Sequence, residues 1–137
     1  MTRYAALIDG KKGAYGVVVP DLPGCTAMGK TVDEAIVNTA AAMRDWAQVV
    51  VESGGKVPSP RALEDIRSDQ EIVEAVNTGA TLASVPLIYE TGKPIKANLS
   101  IDAGVLAAID AEAARRKLTR SAFIELLARH ALPDLAA

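Results

Sequence analysis

The sequence predicts an α+β chain in two parts: a small antiparallel sheet packed by one long helix, followed by a short strand and two short helices. Three observations carry this. Residues 4–9 (YAALID) and 15–20 (YGVVVP) are apolar runs flanking GKKGA, the pattern of a hairpin with a positively charged tip. Thr31 and Glu34 of the TVDE stretch form a capping box ahead of Val32, Ile36, Thr39, Met43, Trp46 or Ala47, and Val50, an apolar stripe at helical spacing. Residues 96–101 (KANLSI) alternate polar and apolar side chains with no second strand nearby. A strand cannot satisfy its own backbone N–H and C=O groups, so this one calls for a partner, most simply a second copy of the chain.

The elements follow in order. The second strand stops at PDLPGC, where Pro20 and Pro23 prevent continuation and Gly24 permits the turn; a short third strand is expected over residues 25–28. The long helix ends at Ser53, Gly54 and Gly55. Residues 61–66 suit a short helical turn, and Ser68 with Glu71 reads as a second capping box, opening a helix with Ile72, Val73 and Val76 inward. Residues 81–89 (TLASVPLIY) read as a strand returning to the sheet, held to an edge or bulge by Pro86. Glu90, Thr91 and Gly92 form the hinge between expected domains at 1–90 and 93–137.

In the second domain Ala97, Leu99 and Ile101 share one strand face and Lys96, Asn98 and Ser100 the other. Asp102 is the expected N-cap of a helix to about Arg116 with Val105, Leu106, Ile109 and Ala113 inward. Thr119 caps a second helix with Ala122, Phe123, Leu126 and Leu127 inward, closed after Leu132 by Pro133. Two such strands paired about a two-fold axis would present six polar side chains, and the major groove of B-DNA admits a two-stranded ribbon. Lys96 and Asn98 suit base edges, and Thr119, Arg120 and Ser121 place hydroxyls, a cation and free N–H groups where a phosphate is welcome. The stretch from Lys93 to Leu132 resembles a ribbon-helix-helix DNA-binding domain. Ser100 stands where that pattern often has a longer polar or basic residue.

Composition narrows the function. The net charge of -2 divides unevenly: residues 1–92 hold 8 basic and 12 acidic side chains, a net of -4, and residues 93–137 hold 7 and 5, a net of +2. The acidic part is not a nucleic-acid binder by itself; the basic part suits one. No apolar run approaches the ~18 residues of a membrane helix, and Arg3 and Tyr4 lead into a strand in place of an apolar leader, so a cytoplasmic address is expected. Cys25 and His130 are each the sole residue of their type, which leaves no disulfide or clustered metal ligands. No cofactor is expected.

The strand pair, PDLPGC, Gly29-Lys30-Thr31, Glu34-Ala35, Asn38 and Trp46 together resemble the HicB family of antitoxins. That resemblance implies a partial ribonuclease-H-like N-terminal domain joined to a DNA-binding domain, and a partner: a small basic RNA-cleaving toxin of the HicA type, neutralised by steric cover. It also implies repression of the protein's own operon through operator DNA, as a homodimer through the C-terminal strand, with tetramers open. Candidate toxin contacts are Asp9, Asp21 and Trp46. A stand-alone regulator whose N-terminal domain senses a ligand or assembles the oligomer is the alternative. A nuclease would need carboxylates converging on metal ions; Asp9, Asp21, Asp33, Glu34 and Asp45 are scattered over strand end, turn and helix, so the chain reads as a non-enzyme. Residues 29–31 (GKT) lack the upstream glycine spacing of a phosphate loop.

Overall fold

The hairpin forms where GKKGA dictates. In the computed structural model, which describes residues 1–135, β1 (Arg3–Lys11) pairs antiparallel with β2 (Ala14–Val18) in a register that sets Lys11 opposite Ala14. The last two residues of the expected second domain lie outside the described residues. Gly10 takes φ 103°, and a Cβ there would stand 2.3 Å from the Ala14 carbonyl oxygen, so the turn requires glycine. The short β3 (Thr26–Gly29) pairs with β2, one residue later than expected, and Cys25 is buried beneath it.

The sheet order is β3-β2-β1-β4, with β4 (Thr81–Pro86) on the far edge beside β1. An edge is where a proline without a ladder N–H is tolerated. The strand ends at Pro86 and not at Tyr89; the Leu87 N–H still reaches the Thr2 carbonyl at 2.9 Å. Tyr4, Ala6 and Ile8 of β1, with Val17 of β2 and Val85 of β4, supply the buried face.

Across that face lies α1 (Val32–Glu52), the longest helix. Its buried ridge is Ala35, Thr39, Met43 and Ala47, a strict four-residue repeat. The expected stripe is therefore rotated: Val32 is exposed, and Ile36 and Trp46 flank the core. Small residues let the helix sit close to the sheet. A Cβ at Gly29 would lie 2.4 Å from the Ala35 nitrogen, so glycine and alanine together fix this approach. The Thr39 hydroxyl, fully buried, donates to the Ala35 carbonyl at 2.7 Å. Thr31 caps the helix by accepting from the Glu34 N–H at 3.0 Å, but Glu34 reaches back to the N–H of Lys30 and not of Thr31, so the capping box closes one residue early.

Two short helices follow, α2 (Leu63–Ser68) and α3 (Gln70–Asn77). Ser68 closes α2, and Asp69, not Ser68, caps α3 by accepting from the N–H groups of Glu71 and Ile72. A carboxylate accepts two such bonds more readily than a hydroxyl already engaged with the preceding turn.

The chain divides into two compact units, Met1–Thr91 and Gly92–Ala137. The second unit holds α4 (Ala103–Arg115) and α5 (Arg120–Leu135). Residues 93–102 form no ladder and no helix within the single chain, so the strand expected over 96–101 has no partner here. α5 runs past Pro133, which was expected to end it; so near a terminus, the proline removes one intrahelical bond without ending the turn. Ala113 and Phe123 are buried, whereas Val105 and Leu127, expected inward, are 54% and 44% exposed.

Candidate functional site

In the first unit the PDLPGC turn is a fixed structural corner. Leu22 is fully buried, and backbone bonds from Leu22 to Val19, Cys25 to Leu22 and Val19 to Cys25 span 2.9–3.1 Å. Asp21 faces inward: its carboxylate accepts from the Arg61 backbone N–H at 2.9 Å and from Arg61 Nε at 2.6 Å. Arg61 Nη1 donates to Asp69 at 2.7 Å, which holds the Asp69 carboxyl below its ordinary range. One guanidinium thus ties the turn after β2 to the cap of α3.

Trp46 is partly buried, and its indole N–H donates to the Pro23 carbonyl at 3.0 Å. Beside it lies a shallow groove of about 470 Å³ between the PDLPGC turn and α1, lined by Gly24, Ala42, Asp45, Val49 and Val50. Val49 is 65% exposed there. Asp9 lies elsewhere, on the sheet face away from α1, where its carboxylate sits over Gly16. The three expected toxin contacts are therefore separated: Asp21 is engaged within the fold, Asp9 stands on the open sheet face, and Trp46 forms the wall of a groove. Among the described residues no group of three His, Cys, Asp or Glu side chains is placed to hold a metal ion.

In the second unit Asp102 caps α4 by accepting from Gly104 at 2.8 Å and Val105 at 3.2 Å. Lys117 adopts φ 57°, and the N–H groups of Lys117 and Leu118 return to the carbonyls of Ala114 and Ala113, the bond pattern of a Schellman cap. Thr119 then caps α5 through the Ala122 N–H at 3.1 Å. Arg120 presents both Nε and Nη2 to the Asp110 carboxylate at 2.8 Å each. This fork joins the first residue of α5 to the middle of α4. Lys96, Asn98, Ser100 and Ser121 are exposed. The sequence signalled the caps through residue type; it gave no local signal for Asp110 or for the Asp21–Arg61–Asp69 link, whose partners lie 8 to 40 residues apart.

A family profile described as "HicB_like antitoxin of bacterial toxin-antitoxin system" matches residues 4–128. The chain is similar over 98% of its length, and 98% of the other chain, to the crystal structure of the Burkholderia pseudomallei antitoxin HicB, at 32% identity and a TM-score of 0.53. It is 29% identical over 107 residues to an uncharacterized 14.9 kDa protein of Haemophilus phage HP1, covering 78% of each. A chain of the "HicA3 and HicB3 toxin-antitoxin complex" shares the fold at 20% identity and a TM-score of 0.51, over 65% of this chain and 99% of that one. A sheet carrying one long helix, a second unit of two capped helices and a profile that spans both place this chain in the HicB-like antitoxin family of bacterial toxin–antitoxin systems.

Proposed function

We propose that the first unit, in the partial ribonuclease-H-like role the family resemblance implies, neutralises a small basic ribonuclease toxin of the HicA type by covering it. The second unit pairs with that of another copy through residues 96–101 and binds operator DNA as a ribbon-helix-helix dimer. The observation that carries the toxin reading is the family match across residues 4–128. The net charge of -4 on residues 1–92 supports it, because opposite charge steers a basic partner. For DNA, support comes from exposed Lys96, Asn98 and Ser100 in a stretch without a ladder, directly ahead of a capped helix. Ser121 and the N–H groups that open α5 would face phosphate. Arg120, forked on Asp110, would orient that helix start as well as lend charge.

Co-expression tests the reading. The small protein encoded beside this chain should arrest growth alone, lose that effect when this chain is present, and co-purify with it. A neighbour that neither binds nor is neutralised removes the antitoxin function and leaves a stand-alone regulator.

A further inference from the structure

We infer that the groove beside Trp46 is where the first unit seats its partner: a basic protein that inserts an apolar side chain against Val49 and Trp46 and sets a lysine or arginine against the Asp45 carboxylate. The inference rests on the toxin-binding reading and gives it a surface.

The groove has an apolar centre and a carboxylate on its wall. Trp46, Val49 and Val50 make the centre, with Gly24 and Ala42 keeping it open. Asp45, on the groove wall, stands one turn before Val49, the most exposed apolar residue of the helix's last turns, whereas Glu52 lies outside the lining and accepts from Gln48 Nε2 at 3.2 Å. Trp46 is held in place by its bond to Pro23, so the aromatic wall is formed before any partner arrives. α1 also ends here, and its last turn carries no basic residue. The carbonyls of Val49, Val50 and Val51 accept from the backbone N–H groups of Ser53, Gly55 and Gly54, so the helix end is closed within the chain and the attraction for a cation rests on the carboxylate at the groove.

The charges at the two ends of α1 are mixed. Lys11 and Lys12 sit at the hairpin tip, which is bonded to the turn holding Lys30 by the Gly13 N–H at 2.8 Å. That tip adjoins the start of α1, about 25 Å along the helix from Val49 at 1.5 Å per residue. Asp33 and Glu34 stand at that end too, and Lys56 follows the other, so a basic partner is favoured at the groove by Asp45 on its wall and by the net charge of the unit, not by a contrast between the helix ends. The open sheet face is the competing surface, with Val18 50% and Met28 70% exposed, but Arg3 and Lys11 share it with Asp9. A second copy of this chain fits the groove poorly, because a two-fold contact brings like carboxylates together.

The test uses the full chain and the neighbouring-frame protein of the co-expression experiment. Val49→Glu and Asp45→Lys should each weaken binding at least tenfold, with unchanged thermal unfolding. Val18→Glu and Met28→Glu on the open sheet face should bind as wild type. Labelling the sole tryptophan as 5-fluorotryptophan gives one 19F signal, which should shift on complex formation. Wild-type affinity in both groove variants, an unmoved 19F signal, loss of binding in Val18→Glu, or a changed oligomeric state in Val49→Glu would each overturn the assignment. If wild type itself does not bind the neighbour, the toxin reading falls and takes the groove assignment with it.

Discussion

The two units use the same sequence cues to opposite ends. Met1–Thr91 closes its core within one chain, with twelve buried residues from the sheet, the PDLPGC turn and α1 in a single cluster. The unit from Gly92 buries Ala113 and Phe123 among the described residues, and leaves Leu99 65%, Val105 54% and Leu127 44% exposed. Apolar periodicity in the first unit specifies a closed core; in the second it leaves apolar side chains exposed, which the proposed dimer would cover. Units of this size rarely reach stability from their own core, which is the physical reason the proposed dimer is needed.

The sharpest way to break that contrast is to hollow each core in turn. Met43→Ala should cost about 2–5 kcal/mol and Phe123→Ala about 3–5 kcal/mol, as expected for buried large-to-small changes. The first loss should be independent of protein concentration. The second should appear in a transition whose midpoint rises with concentration, as for any fold linked to dimerisation. The sole tryptophan lies in the first unit, so its fluorescence follows that unit while far-ultraviolet circular dichroism follows both. A second transition unmoved by concentration would show that the α4–α5 unit is stable as a monomer.

A smaller effect separates the two roles proposed for the second unit. Asn98→Ala should cost about 1–3 kcal/mol per half-site on DNA from upstream of the reading frame and relax sequence preference. Arg120→Ala should weaken binding to every duplex alike and flatten its salt dependence. Gel-shift titrations at two salt concentrations read both. Binding equal to wild type in both variants would leave the polar face of residues 96–101 a solvated edge.

Much of this architecture was legible in residue type. Thr31, Asp102 and Thr119 cap the helices they were expected to cap, because a side-chain oxygen before an apolar run has one low-energy use. The rotation of the α1 stripe was not legible. Ala35 and Ala47 score as weakly apolar, yet they are buried because Gly29 and the sheet demand a close approach. Val32 and Val49, more apolar by composition, lie outside. Asp21, a candidate contact in a turn that also suited a rigid connector, pairs with Arg61, a partner set by tertiary structure forty residues away that no local pattern announced. The strand at residues 96–101 is the converse case: its pattern is plain, but its hydrogen bonds belong to a second chain on the proposed reading, so a single chain leaves it without a ladder.

The smallest expected effect again sets one unit against the other, through acid. Glu112 accepts from Arg115 at 2.5 Å and from Arg116 at 2.8 Å, and these guanidinium bonds hold its carboxyl down from 4.5 to about 2. Arg116 also lies over the Phe123 ring, 5.6 Å from its centre, so the pair leans on the buried aromatic of the second unit. A carboxyl depressed on folding stabilises the folded state fully above its unfolded value and loses that contribution as pH falls through the folded one. The window therefore runs from about pH 5 down to about pH 2. Asp69 in the first unit is lowered in the same direction by Arg61. Glu112→Gln should flatten the acid limb of the second unit's unfolding and leave the tryptophan-reported limb unchanged; Asp69→Asn, which keeps a capping oxygen, should do the reverse. All these groups are solvent-accessible, so both effects should shrink in high salt. Thermal unfolding between pH 2 and pH 5 at two salt concentrations reads them, and a Glu112→Gln change that moved both limbs equally would show the two units to unfold as one.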